Sequence, residues 1–193
     1  MTQGISLIAG LGNPGPGYAD TRHNAGFLFV DALVAGRADW RHDARFGGRC
    51  ARVTVAGHEL WLLCPDGFMN HSGEAVGRLA RYYKIPPGQI LVVHDDLDLP
   101  PGAVRLKFGG GDGGHNGVAD VIEQLGTNEF HRLRIGIGRP SSSADVVTYV
   151  LKKPSGADRV LIDNAIQDAL AQIDAIVHGQ MQKAMNALHT HSR

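Results

Sequence analysis

The stretch Gly10-Leu11-Gly12-Asn13-Pro14-Gly15-Pro16-Gly17-Tyr18 ends an apolar run, Ile5 to Leu11, and leads into Thr21-Arg22-His23-Asn24. The apolar run predicts a buried strand, broken sharply by glycines and prolines. The next segment, Ala25 to Val34, predicts a helix. A strand that ends in a glycine-rich turn and feeds a helix is where an open α/β sheet places its ligand, just beyond the strand's carboxyl end. Asn13 and His23 are the polar side chains such a turn presents.

Gly10, Gly12 and Gly15 also fit the G-x-G-x-x-G dinucleotide fingerprint. That fingerprint needs its helix to begin inside the glycine turn, so that the helix N-terminus meets the pyrophosphate. Here Pro14 and Pro16 alternate with the glycines, and no helical period starts before about Thr21. Asp31, the acid at roughly the right distance, falls inside the helical pattern. The turn therefore argues against a dinucleotide site.

The chain has 193 residues, 43% hydrophobic and 20% charged, enough for one soluble domain with a substantial core. The formal net charge is zero, so contact with nucleic acid would need a local basic patch. No apolar stretch approaches the ~20 residues of a membrane span. The N-terminus lacks the basic flank and cleavage site of a signal peptide, which makes the cytoplasm the expected location. Cys50 and Cys64 fall on two predicted strands, almost opposite each other. They are expected to be buried thiols rather than a disulfide or a zinc site.

Asp20 or Thr21 is a candidate N-cap for the first helix, and Gly36 its stop. His23 then lies in the first helical turn, where the dipole disfavours an imidazolium and favours the neutral form a general base needs. Residues 48–55 and 58–64 alternate as a hairpin around Ala56-Gly57. A loop over Asp66 to Gly73 precedes a helical stripe of Val76, Leu79, Ala80 and Tyr83, which Pro86-Pro87 stops; Arg78 and Arg81 point to solvent.

Ile90 to Val93 predicts a second buried strand, ending in His94-Asp95-Asp96-Leu97-Asp98. These residues allow a metal site, or a single acid that orients a histidine. Val104 to Phe108 reads as an edge strand with a positive face. Six glycines in the nine residues Gly109 to Gly117 allow close backbone approach to a ligand. Asn116-Gly117 opens a helix carrying Val118, Val121, Ile122 and Leu125. Arg132 to Gly138 predicts a further strand. A polar linker at Ser141 to Ser143 precedes a long C-terminal helix over Ala157 to Val177. The tail with Lys183, His189, His191 and Arg193 is expected to fray.

Together these segments resemble bacterial peptidyl-tRNA hydrolase. The matching motifs are Gly10 to Gly15, Thr21 to Gly26, Phe68 to Asn70 with Ser72-Gly73, His94 to Gly102, Gly113 to Gly117 and Phe130 to Pro140. The resemblance implies a single compact α/β domain, a mixed twisted sheet flanked by helices, with a lid over 141–155. It implies hydrolysis, during translation, of the ester joining a peptide to the terminal ribose of tRNA. His23 matches the catalytic base, Asp95 the acid that pairs with it, and Asn13 an asparagine near the ester. Tyr18, Phe68, Asn70 and Asn116 match substrate-binding positions, the two asparagines holding peptide backbone and positioning water or the carbonyl oxygen. Arg105, Lys107 and Arg134 match positions implicated in tRNA contact. The resemblance implies a monomer with no metal and no other cofactor. The alternative from another class is a non-catalytic RNA-binding module using the same groove.

Overall fold

A computed structural model describes residues 3–191, with side chains to residue 189. Seven strands form one sheet: β1 (Leu7–Gly10), β2 (Arg41–Asp43), β3 (Gly48–Val55), β4 (His58–Pro65), β5 (Ile90–Asp96), β6 (Val104–Phe108) and β7 (His131–Gly136). Their order is β2-β3-β4-β1-β5-β7-β6. The central pairs β4/β1, β1/β5 and β5/β7 are parallel, and the outer pairs are antiparallel. The sheet is therefore mixed, as expected. From β1 the chain departs toward β4, and from β5 toward β7. The crevice beyond the carboxyl ends of β1 and β5 is the switch point where such sheets hold ligands.

Alternation along the buried strands feeds two cores. Ile8, Leu91 and Val93 pack with α1 (Ala25–Val34), α5 (Gly156–Ala171), α6 (Ile173–Val177) and α7 (Met181–His191). Leu7, Ala9, Ile90 and Val92 pack with α2 (Ser72–Tyr82) and α3 (Asn116–Leu125). A short helix, α4 (Val146–Val150), lies between β7 and α5. The layers approach closely where side chains are absent. A Cβ on Gly26 would stand 2.3 Å from the Val93 carbonyl oxygen and 2.6 Å from the backbone of Leu11. Only glycine lets α1 begin directly against β1 and β5.

The bounds of α1 are those expected, but its entry is not. Neither Asp20 nor Thr21 caps it. A 3-10 turn, Arg22–Asn24, intervenes and carries His23, while the Thr21 hydroxyl donates to the Tyr18 carbonyl. The strand expected over Ile5 to Leu11 is shorter, Leu7–Gly10; Ser6 and Leu11 still bond Trp61 of β4 and Val93 of β5, whereas the Ile5 N–H turns away to Val177. The loop expected over Asp66 to Gly73 contains a 3-10 turn, Met69–His71, and α2 already begins at Ser72.

The helix expected over Ala157 to Val177 breaks at Gln172, whose N–H bonds Ala169 in 3-10 fashion. Val160, an apolar residue near its start, is exposed rather than packed. The tail expected to fray forms α7, which buries Ala184 and Leu188; Arg193 lies outside the described residues. Cys50 faces Leu63, and Cys64 faces Arg49, across the β3/β4 ladder. That one-residue offset puts the two thiols on opposite faces of the sheet, each in a different core. Both are free and buried.

Candidate active site

Beyond the ends of β1 and β5 lies a cavity of about 300 Å3, lined among others by Asn13, His23, Phe68, Asn70, Asp95 and Asn116. These six residues come from four separate segments of chain, and the fold brings them together. The 3-10 turn ahead of α1 delivers His23. Its Nδ1 lies 2.9 and 3.0 Å from the two carboxylate oxygens of Asp95, at the end of β5. Donation from Nδ1–H leaves Nε2 as a free lone pair.

Asp95 is buried, and burial alone would raise its pKa. The neighbouring imidazoles of His115 and His23 outweigh that and hold the carboxyl well below the usual range. His115 is the member of this cluster to which the sequence reading gave no role. Its Nε2 donates to Asp95 at 2.8 Å, while its Nδ1 accepts from the N–H groups of Gly117 and Val118 at 3.1 and 3.2 Å. His115 is thus the side-chain N-cap of α3, and this arrangement fixes the neutral tautomer protonated on Nε2. The signal was available in Gly114-His115-Asn116-Gly117, where a histidine precedes the expected helix start.

His23, Asp95 and His115 bring ligand-type atoms within 4.8 Å of one another. In the observed hydrogen bonding, both imidazoles spend a proton on the same carboxylate, and the second nitrogen of His115 is occupied by the helix. Of the four imidazole nitrogens in the trio, only His23 Nε2 is left with a free lone pair. His94 does not converge with Asp95, Asp96 and Asp98 as a metal cluster would. Its Nδ1 donates to the Asp95 carbonyl at 2.7 Å, and its ring stands edge-on to His115 at 4.9 Å. Burial, then the adjacent His115, lowers its pKa, which favours the neutral ring.

Asn13 is built in from three sides. Its N–H donates to Asn24 Oδ1 at 2.8 Å, and its carbonyl accepts from Asn24 Nδ2 at 2.9 Å. Its own Oδ1 accepts from the Met69 N–H at 2.7 Å. The amide orientation follows, because Met69 needs an acceptor. Asn13 Nδ2 is left as the donor for whatever enters. Asn70 and Asn116 stand exposed at the rim. Phe68 is 55% exposed at the mouth, and Tyr18 meets it edge-on at 6.1 Å without itself lining the cavity. Val146, Val147, Val150 and Leu151 add an apolar wall.

The glycine-rich loop is tied down rather than free. The buried guanidinium of Arg132 donates to the carbonyls of Gly110, at 2.8 Å, and Gly111. Arg105 and Arg134 face each other across the β6/β7 ladder, as do Lys107 and Arg132, so the four cations share one face. Arg134 donates to Asp96 at 2.7 Å, whereas Lys107 is exposed. This edge stands outside the cavity.

Residues 7–193 match the family model described as peptidyl-tRNA hydrolase. The chain belongs to the peptidyl-tRNA hydrolase family. It is 53% identical over 187 residues to the peptidyl-tRNA hydrolase of Edwardsiella ictaluri, covering 96% of this chain and 95% of that one. It is 48% identical to the one from Neisseria meningitidis, covering 98% and 100%. Among solved structures, the peptidyl-tRNA hydrolase of Acinetobacter baumannii superposes with a TM-score of 0.96 at 44% identity, covering 100% of this chain and 98% of that one. Membership leaves a nucleotide-dependent enzyme without support. The fold agrees, since α1 starts ten residues after Gly15 and no helix N-terminus lies in the glycine turn.

Proposed function

We propose that this chain hydrolyses the ester between a peptide and the terminal ribose of tRNA, using water activated by His23. The observation that carries the reading is the His23–Asp95 couple, with Nε2 bare, facing a cavity that Asn13 Nδ2 also serves. His23 Nε2 takes a proton from water as its oxygen attacks the carbonyl carbon. Asp95 holds the imidazole in the working tautomer and stabilises the imidazolium. The Asn13 amide donates to the developing oxyanion, an effect worth roughly 3–4 kcal/mol in a comparable hydrolase. The bond to the ribose oxygen then breaks, and that oxygen leaves with the proton from His23. The balance closes with water alone, so the proposed step uses no metal or cofactor.

Asn70 and Asn116 flank the entry and suit a peptide backbone. Phe68, backed by Tyr18, offers a stacking face for the terminal nucleotide. Arg105, Lys107 and Arg134 lie on the side where the RNA body would run. The segment 141–155 would act as a lid, and the chain would act as a monomer in the cytoplasm, where translation supplies its substrate. Among the described residues no helix is long and apolar enough to cross a membrane.

The test is peptide release from a defined peptidyl-tRNA, with EDTA and with His23→Ala. Release that survives EDTA and is lost in a folded His23→Ala protein is the expected result. Tight tRNA binding without release would replace this reading with a non-catalytic RNA-binding module.

A further inference from the structure

We propose that Arg22 is a positioning residue that sets the apolar wall of α4 relative to His23, and so governs which esterified amino acid the site accepts. The inference rests on the reading that the cavity takes the peptide end of the ester. Arg22 precedes His23 in the same 3-10 turn, and its bonds run to the segment that carries the apolar wall. Its N–H donates to the Lys152 carbonyl at 3.0 Å, and its Nη1 donates to the Tyr149 carbonyl at 2.9 Å. Its guanidinium lies 3.8 Å above the Tyr149 ring. Tyr149 is fixed in turn, since its hydroxyl donates to the Ile137 carbonyl just past β7 at 2.6 Å. Asp20, two residues before Arg22, adds looser pairs to Lys153 at 3.8 Å and Arg159 at 3.5 Å.

Tyr149 itself does not line the cavity; its neighbours Val146, Val147, Val150 and Leu151 do. A helix of five residues has little stability of its own. Val150 is buried in the core and anchors one side of the helix, while Val147 is 70% exposed and has no such support. The clasp on Tyr149 therefore sets how the exposed side of the wall stands. The geometry favours the stack over full hydrogen bonding, because Arg22 Nε is buried without a partner among the described residues. A lysine could reach one carbonyl but could not lie flat on the ring.

A wall registered in this way matters to a bulky apolar side chain and not to glycine. The experiment measures KM and kcat for two peptidyl-tRNAs on one tRNA body, esterified through leucine or through glycine. Arg22→Ala should raise KM for the leucine substrate about tenfold, in the range that hydrophobic pocket contacts supply. KM for the glycine substrate and the pH dependence of kcat should stay where the parent has them. Arg22→Lys should recover part of the loss. Tyr149→Leu, which removes the ring and leaves Arg22 in place, should reproduce the leucine-specific defect if Arg22→Ala fails to fold. An equal rise for both substrates, an unchanged KM, or a displaced pH profile would overturn the assignment. Absence of peptide release by the parent protein would instead overturn the hydrolase reading and the positioning role with it.

Discussion

At the scale of single residues, Asp95 carries more of the arrangement than its single carboxyl suggests. One oxygen serves His115, and both lie within reach of His23. An amide in its place offers one acceptor and turns an NH2 toward an imidazole N–H. Asp95→Asn should therefore cut single-turnover release by on the order of a thousandfold or more, as wrong-tautomer variants do elsewhere. A melting temperature within a few degrees of the parent would show that the loss is chemical. Retention of most activity would mean that the pair does not orient the base. Asn13 and His23 stood out from the glycine turn itself, whereas Asp95, Asn70 and Asn116 were singled out by the resemblance; the fold gathers all five around one cavity. His115 was not legible, because its role depends on Asp95 having room for a second donor, which only the folded geometry reveals.

At the scale of elements, His115 does two jobs that can be separated. It caps α3 with Nδ1 and holds Asp95 with Nε2. His115→Ala should lose both: about 1 kcal/mol of stability for the missing cap, together with turnover. Asparagine caps helices well but is too short to reach Asp95. His115→Asn should thus restore the melting temperature while turnover stays low. If both properties return together, the histidine serves the helix alone. Elements with long, regular periods were read closely: α1, α3 and the β3/β4 hairpin fall at or within a residue of the expected bounds. The misreadings are at junctions. Periodicity does not register a 3-10 turn such as Arg22–Asn24, and the apolar series through Ile173 continues past the turn at Gln172 that divides α5 from α6. Nor does it show that an apparent tail packs, since Ala184 and Leu188 acquire a surface to cover only once the sheet exists.

At the scale of the whole molecule, a net charge of zero conceals an uneven distribution. Four cations occupy one face of β6 and β7, with Arg134 already balanced by Asp96. Bulk composition could not show this, although the alternation Arg105-Leu106-Lys107 pointed to it. If phosphates lie along this edge, Lys107→Ala should flatten the slope of log affinity against log salt by about 1. Phe68→Ala should weaken tRNA binding without changing that slope. An unaltered slope for Lys107→Ala would place the RNA elsewhere.

The two thiols on opposite faces of the sheet lend the molecule a property unrelated to its chemistry. Burial pushes the Cys50 thiol up to about 12 and the Cys64 thiol higher still, and only a thiolate reacts readily with alkylating reagents. Both thiols are also shielded by the core, so the folded chain should react slowly with such reagents, and oxidation cannot link cysteines on opposite faces of the sheet without unfolding it. Alkylation of Cys64 thus counts openings of the central sheet, a clock for unfolding read at a position remote from the reacting groups.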